Sequence, residues 1–287
     1  MKVMLLGATG TIGRAVSQEL RLQGHDTVAP DRDELENLNP KGCDAIISCL
    51  ASRTGEPSDA WAVDYGLNSA ALRAAKASGV TRFIMLSALC VQRPRLEFQK
   101  AKLAFEEELQ ASGLIYSIIR PTAFFKSLSG QIERVQAGKP FLVFGNGTLT
   151  ACKPISDRDL ARYILRALSD PEMENRVLPI GGPGPALTPL AQARLMEEAL
   201  DQKVATKSVP PGLLKAIAAG LGLLGLKTKA ELARIGHYYA TESMLVWDGQ
   251  GYSAERTPEF GTETLADHYR ALARGETVDD RGAHAVF

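Results

Sequence analysis

Apolar residues over roughly the first 120 positions alternate between short runs and helical spacing. Lys2–Leu6 is a run of strand length, and Thr11–Gln23 spaces its apolar residues as a helix does before stopping at Gly24. Thr27–Ala29 and Asp44–Leu50 read as the next two strands, and Ala60–Ser78 as a helix closed by Gly79. Arg82–Leu86 predicts a fourth strand, Glu97–Ala111 a helix ending at Gly113, and Tyr116–Ile119 a fifth strand. Strands separated by single helices require right-handed crossovers, so this half predicts an α/β fold built on a doubly wound parallel sheet.

After Pro121 the rhythm loosens. A helix near Ser127–Ala137, a strand at Phe141–Phe144, a helix at Asp157–Leu168 and a strand at Val177–Ile180 follow. The run IGGPGPALTP, Ile180 to Pro189, is rich in turn formers and marks a boundary. Residues 1–180 then form the sheet domain, and residues 181–287 a smaller, mostly helical C-terminal substrate lobe with contributions from about 122–150. That lobe holds the longest apolar run, LLKAIAAGLGLLGL, Leu213 to Leu226, which is short of a membrane span and contains Lys215. The length rule favours a buried core helix; a lid over a ligand and a peripheral, interfacial membrane contact are the alternatives.

Acids and bases balance at 33 each among 287 residues, so no basic surplus points to nucleic acid. Cys43, Cys49, Cys90 and Cys152 have no CxxC or cluster spacing and read as reduced thiols; no metal site is expected. Met1 and Lys2 run directly into the first strand without a leader, which predicts a cytoplasmic protein.

GATGTIG, Gly7 to Gly13, follows a strand and opens a helix, the context a phosphate-binding loop requires. Gly7 allows the tight turn, Gly10 lets the backbone approach a pyrophosphate, and Gly13 lets the helix pack closely on the sheet. Thr9, Thr11 and Ile12 complete this Rossmann-like loop, whose helix N-terminus offers N–H groups and a positive dipole to an anion. At the end of the second strand, VAPDR offers Asp31 and then Arg32. Arg32 facing a 2′-phosphate, with Asp31 turned away, makes NADPH the expected cofactor. Strand carboxyl ends place Ser48 to Ser52, Cys49 among them, beside the adenosine half and Ser87 near the nicotinamide; Pro121 ends the fifth strand at the same edge.

Lys102 lies on the helix after Ser87, where its ammonium can reach the nicotinamide ribose, and Phe98 stands four residues before it. Short-chain dehydrogenases hold Tyr-x-x-x-Lys at that spacing, the Tyr hydroxyl protonating a carbonyl oxygen as hydride arrives. A phenyl ring donates no proton. The chain therefore either reduces a bond that needs no oxygen-directed acid, such as a conjugated C=C, or does no chemistry.

LSALCVQRPRLEFQKAK (Leu86 to Lys102), YSIIRPTAFFKSLSGQ (Tyr116 to Gln131), ACKPISDRDLA (Ala151 to Ala161), VLPIGGPGPALTP (Val177 to Pro189) and YYATESML (Tyr238 to Leu245) resemble the NADPH-dependent divinyl chlorophyllide 8-vinyl reductases. These are atypical short-chain dehydrogenase/reductase family members, and the resemblance runs from the first strand to about Tyr269. It implies reduction of the 8-vinyl group of divinyl chlorophyllide, or of its protochlorophyllide precursor, to ethyl with NADPH, a late step of chlorophyll or bacteriochlorophyll biosynthesis. The partner is then a Mg-tetrapyrrole. The absent leader points to a bacterial member, cytoplasmic or peripheral to the photosynthetic membrane.

That chemistry suits the residues. Hydride added to the terminal vinyl carbon leaves a charge conjugated with the macrocycle, so Phe98 can replace an acid and pack on the flat ring. Lys102 is expected to hold the ribose and to place positive charge near the developing carbanion. Water, Tyr238, Tyr239 and Cys90 are the candidate proton donors. Phe124, Phe125, Tyr238 and Tyr239 are candidates to line an apolar slot, with Lys126 or Lys153 meeting a propionate. Two other readings compete: an isoflavone-reductase-like C=C reductase of another substrate, and a non-catalytic NADP-binding sensor or assembly factor.

Overall fold

A computed structural model describes residues 1–35 and 37–276; the tail histidine His284 lies outside them. The chain divides into two compact units, Met1–Pro121 with Asp157–Pro179, and Thr122–Ser156 with Ile180 onward.

The first unit is a parallel sheet with helical crossovers. Its elements are β1 (Lys2–Leu6), α1 (Thr11–Leu22), β2 (Asp26–Val28), β3 (Ala45–Ser48), α2 (Pro57–Ala60), α3 (Asn68–Ala77), β4 (Arg82–Leu86), α4 (Glu97–Gln110) and β5 (Ile115–Pro121). The strand order is β2-β1-β3-β4-β5, followed at the edge by a later strand, Arg176–Ile180. Leu6 registers with Ser48, Ser48 with Met85, and Leu86 with Ile119, so the carboxyl ends of β1, β3, β4 and β5 share one edge. Strands covered on both faces must be apolar throughout. Ala45–Ser48 is buried at every position, and Ile46, Phe83 and Ile118 join Leu72 and Phe105 in one core. Phe83 and Phe105 meet edge-on at 5.6 Å, which fastens α4 to β4 and adds about 1 kcal/mol beyond their burial.

Between α2 and α3 the helix widens to π-helical hydrogen bonding over Trp61–Leu67. The periodicity that predicts one continuous helix over Ala60–Ser78 does not resolve this.

The second unit contains α5 (Ile132–Gln136), β6 (Phe141–Phe144), and, after α6 (Asp157–Arg166) and β7 (Arg176–Ile180) return to the first unit, α7 (Pro189–Leu200), β8 (Thr206–Val209), α8 (Gly212–Leu223), α9 (Lys227–Thr241), β9 (Val246–Trp247), β10 (Tyr252–Ser253) and α10 (Leu265–Ala273). The helix predicted over Ser127–Ala137 is split into a 3-10 turn, Lys126–Leu128, and α5, with Gly130 between them. Phe125, Ile132, Phe141, Met196 and Tyr269 are buried together as its core. The buried-core reading of Leu213–Leu226 does not hold: Ala218 alone is buried in α8, and Leu223 is 90% exposed. An apolar helix of this length needs closely packed neighbours on each side to be core, and the close packing of α8 is against α9.

Candidate active site

The Gly7–Gly13 loop is shaped by contacts that exclude side chains. Gly7 has φ +76°, and a Cβ there would stand 2.9 Å from the Cys49 carbonyl oxygen. A Cβ on Gly13 would stand 2.0 Å from the Gly7 carbonyl oxygen. The loop is thus pressed onto the end of β3, and α1 onto the loop. Gly10 caps α1 without a side-chain hydrogen bond, and the first turn of α1 carries no acid. The buried Ile12 anchors the helix, while Thr9 is exposed, Thr11 half-buried, and the Arg14 guanidinium donates to the Thr9 carbonyl at 3.1 Å. A bare backbone cradle at a helix N-terminus fits a pyrophosphate.

Arg32 is exposed on a 3-10 turn, Arg32–Glu34, just past β2, and the preceding Asp31 N–H donates to the Glu34 carboxylate at 2.8 Å. Arg32 exerts its charge on Asp59. Burial pushes that carboxyl up, but hydrogen bonds from Thr54 and Arg53, with Arg32 assisting, bring it net below the ordinary value. The Arg53 N–H donates to Asp59 at 3.0 Å and its side chain is exposed, a second cation beyond β3 that the sequence reading passed over. Its only signal was its place directly after a strand end.

Around Lys102 the groups are buried and paired. The Lys102 ammonium is 3.0 Å from Asp64 Oδ1, with the side chains 6% and 1% exposed. Asp64 Oδ1 has no hydrogen-bond partner among the described residues, so the contact is an ion pair without hydrogen-bond geometry. Asp64 Oδ2 accepts from the Ser52 N–H at 3.3 Å. Lys102 also donates to the Leu50 carbonyl at 3.5 Å, and its charge opposes the desolvation that pushes the Cys49 thiol up to about 12. Asp64 sits in the π-helical segment, a geometry frequent at functional sites, and its carbonyl accepts from Asn68 at 3.0 Å. Asn68 in turn accepts the Ser48 hydroxyl at 2.5 Å. Lys102 therefore brings an ion pair to the sheet edge, where the sequence reading expected a lone positive charge.

One turn along α4, Glu106 is 1% exposed and accepts both the Ser87 hydroxyl and the Arg120 guanidinium. Ser87 thus points its proton into the protein. Phe98, one turn the other way, is half-buried, and Pro121 is buried at the end of β5. Asp64 and Glu106 escaped sequence reasoning because lone acids on helices read as solvated, and Arg120 because a lone base near a strand end does.

In the second unit Phe125 is 4% and Tyr238 3% exposed. Phe125 belongs to that unit's core and lies 5.4 Å from His268. Tyr238 and Tyr239 meet edge-on at 5.5 Å, with Tyr239 half-buried. Phe124 is half-buried and bridges to Ile155. Lys153 is buried against Glu259 and donates to the Thr257 carbonyl at 3.5 Å, while Lys126 is half-buried. Cys90 is 2% exposed.

A family model described as NAD(P)H-binding matches residues 29–171, which take in Arg32, Ser87, Phe98, Lys102 and Glu106. The chloroplastic divinyl chlorophyllide a 8-vinyl-reductase of Cucumis sativus is 40% identical over 332 residues, covering 99% of this chain and 79% of the relative. The chain belongs to the divinyl chlorophyllide 8-vinyl-reductase family. The photosystem II assembly factor Ycf39 of Cyanophora paradoxa is 29% identical over 205 residues, covering 63% of this chain and 64% of that one. The UDP-glucuronic acid 4-epimerase of Bacillus cereus in complex with NAD superposes with a TM-score of 0.71 at 14% identity, over 96% of this chain and all of the other. Such a likeness shows the shared fold, on which this vinyl-reductase family member carries its own groups. No helix among the described residues is long and apolar enough to cross a membrane.

Proposed function

We infer that the chain reduces the 8-vinyl group of divinyl chlorophyllide, or of its protochlorophyllide precursor, to ethyl, as a peripheral protein at the pigment-bearing membrane. The observation that carries this is the absence of a free proton donor along α4. Phe98 has no hydroxyl, Ser87 gives its proton to Glu106, and Lys102 is partnered by Asp64. A carbonyl substrate needs such a donor; a vinyl group on a conjugated macrocycle does not, because the ring system accepts the charge.

NADPH, when bound, would supply a hydride to the terminal vinyl carbon, and a proton from water would then add to the inner carbon to complete the ethyl group. The Gly7–Gly13 loop holds the pyrophosphate through backbone N–H groups, which no side chain obstructs. Arg32 meets the 2′-phosphate and Arg53 adds charge, which selects NADPH over NADH. Cys49, Ser87 and Pro121 shape the sheet edge, and Lys102, aimed by Asp64, bonds the nicotinamide ribose. Phe98 packs against the pigment.

Purified protein with NADPH and divinyl chlorophyllide should yield the ethyl pigment, resolved by chromatography. NADPH binding with no pigment turned over would overturn the proposal. It would favour the non-catalytic reading, which draws on the similarity to the assembly factor.

A further inference from the structure

α8 and α9 form a hairpin joined through Leu224, Gly225 and Leu226, with Gly225 at φ +71° reversing the chain. Ala218 and Ala230, 3% and 1% exposed, face the protein. Leu213, Ile217, Leu223 and Leu224 are exposed. Six of the ten large apolar residues exposed among the described residues lie between Leu213 and Leu232, and the two most exposed of these, Leu223 at 90% and Leu224 at 74%, are at the turn. Soluble surfaces seldom concentrate apolar groups this way without a partner.

The charge around them is one-sided. From Lys203 to Ala230 there are five lysines and no acid, in a chain whose acids and bases are otherwise equal. Lys203, Lys207, Lys215, Lys227 and Lys229 are all exposed. A hydrophobic protein partner would account for the leucines but not for a stretch cleared of carboxylates. A bilayer surface carrying anionic headgroups matches both, apolar groups entering the acyl boundary while lysine stems reach back to the phosphates. At twelve residues, α8 is about 18 Å long, enough to lie in the interface and too short to span it.

We propose that the α8–α9 hairpin docks on an anionic lipid surface, with Leu223 and Leu224 inserted and the five lysines over the headgroups. This sharpens the membrane reading of the proposed function, yet its deciding readout is vesicle sedimentation without pigment, so the two fail separately. The full chain is sedimented with vesicles of phosphatidylcholine alone and of phosphatidylcholine with phosphatidylglycerol. Binding should require phosphatidylglycerol and fall with added salt. Lys227→Gln with Lys229→Gln should weaken partitioning about 30-fold, at about fivefold per lysine on an anionic surface. Leu223→Gln with Leu224→Gln should weaken it tenfold or more while leaving the thermal unfolding curve and pigment reduction in detergent unchanged, since both side chains are solvent-exposed. Equal sedimentation of wild type and leucine variant would overturn the proposal. So would a lipid-free dimer that the leucine variant dissociates, or loss of activity in detergent, which would make the hairpin a self-association face or a lid.

Discussion

Replacing Asp64 by Asn removes one charge at almost constant shape and strands a buried ammonium. At 3.0 Å and an effective dielectric constant near 20, the Asp64–Lys102 attraction is about 5 kcal/mol. Much of that offsets the desolvation of two nearly inaccessible groups, so the loss on breaking the pair from one side should be about 3–5 kcal/mol. For a unit of this size that corresponds to a fall in Tm of roughly 6–20 °C. Trp61, in the same π-helical segment, reports on the first unit by fluorescence once the other tryptophan, Trp247, is changed to Phe. Asp64→Asn with Lys102→Met should regain most of the lost stability, because neither charge then remains buried alone. It should not regain turnover, because the proposed ribose contact of Lys102 is then gone. The single variant should also lower kcat about 100-fold through misplacement of Lys102. A Tm within about 2 °C of wild type would refute the buried-pair reasoning, and a double variant as unstable as the single would show that packing, not charge, was lost.

Gly13→Ala should abolish cofactor binding in a fluorescence titration, since the new Cβ meets a backbone oxygen at 2.0 Å; Gly10→Ala, where the nearest atom is 3.3 Å away, should be far milder. Arg32→Ala should weaken NADPH by about 10- to 100-fold, the value of a charge-assisted hydrogen bond, and leave NADH within about twofold; equal losses would remove the phosphate contact. Phe98→Tyr should produce no ketone reduction in a spectrophotometric assay, because Ser87 stays bonded to Glu106. His268 is held down to about 4 by burial, with Nε2 2.9 Å from the Ser129 hydroxyl. The folded state binds fewer protons than the unfolded one between about pH 4 and 6.5, so stability falls as pH drops through that window, by on the order of 3 kcal/mol. Urea midpoints at pH 7 and pH 5 should differ in wild type and converge in His268→Gln.

Strands written as apolar runs with a turn former behind them are legible to the residue: Lys2–Leu6 before Gly7, Phe141–Phe144 before Gly145. β8, the partner of β6, is not, because Thr206, Lys207 and Ser208 are exposed and carry no apolar signal. The phosphate-binding loop was legible because glycine is dictated locally, by a positive φ and by atoms a few residues away. Asp64 was not. Its meaning depends on α4 being folded beside it, and no pattern within Trp61–Leu67 records a lysine thirty-eight residues on. The turn-rich Ile180–Pro189 marks one crossing between the units, but the chain also crosses after Pro121 and Ser156, where an ordinary strand end and helix start leave no compositional break.

Phe98, Lys102 and Glu106 recur at four-residue steps on α4, one face of the helix, and both Lys102 and Glu106 have their own counter-charge. Lys102 has Asp64, and Glu106 has Arg120 and the Ser87 hydroxyl. An unpaired ion beneath a large apolar ring would lose its water and gain nothing in return, a penalty of several kcal/mol. A face whose polar groups are satisfied among themselves can be covered by a macrocycle without that penalty. The same pairing makes it poor at stabilising an oxyanion, which needs a donor left free until the substrate arrives. On the proposed function, the burial of Asp64 and Glu106 and the missing hydroxyl at position 98 are one adaptation: a nicotinamide edge built to be dry, where the electrons must be accepted by the substrate's own conjugation.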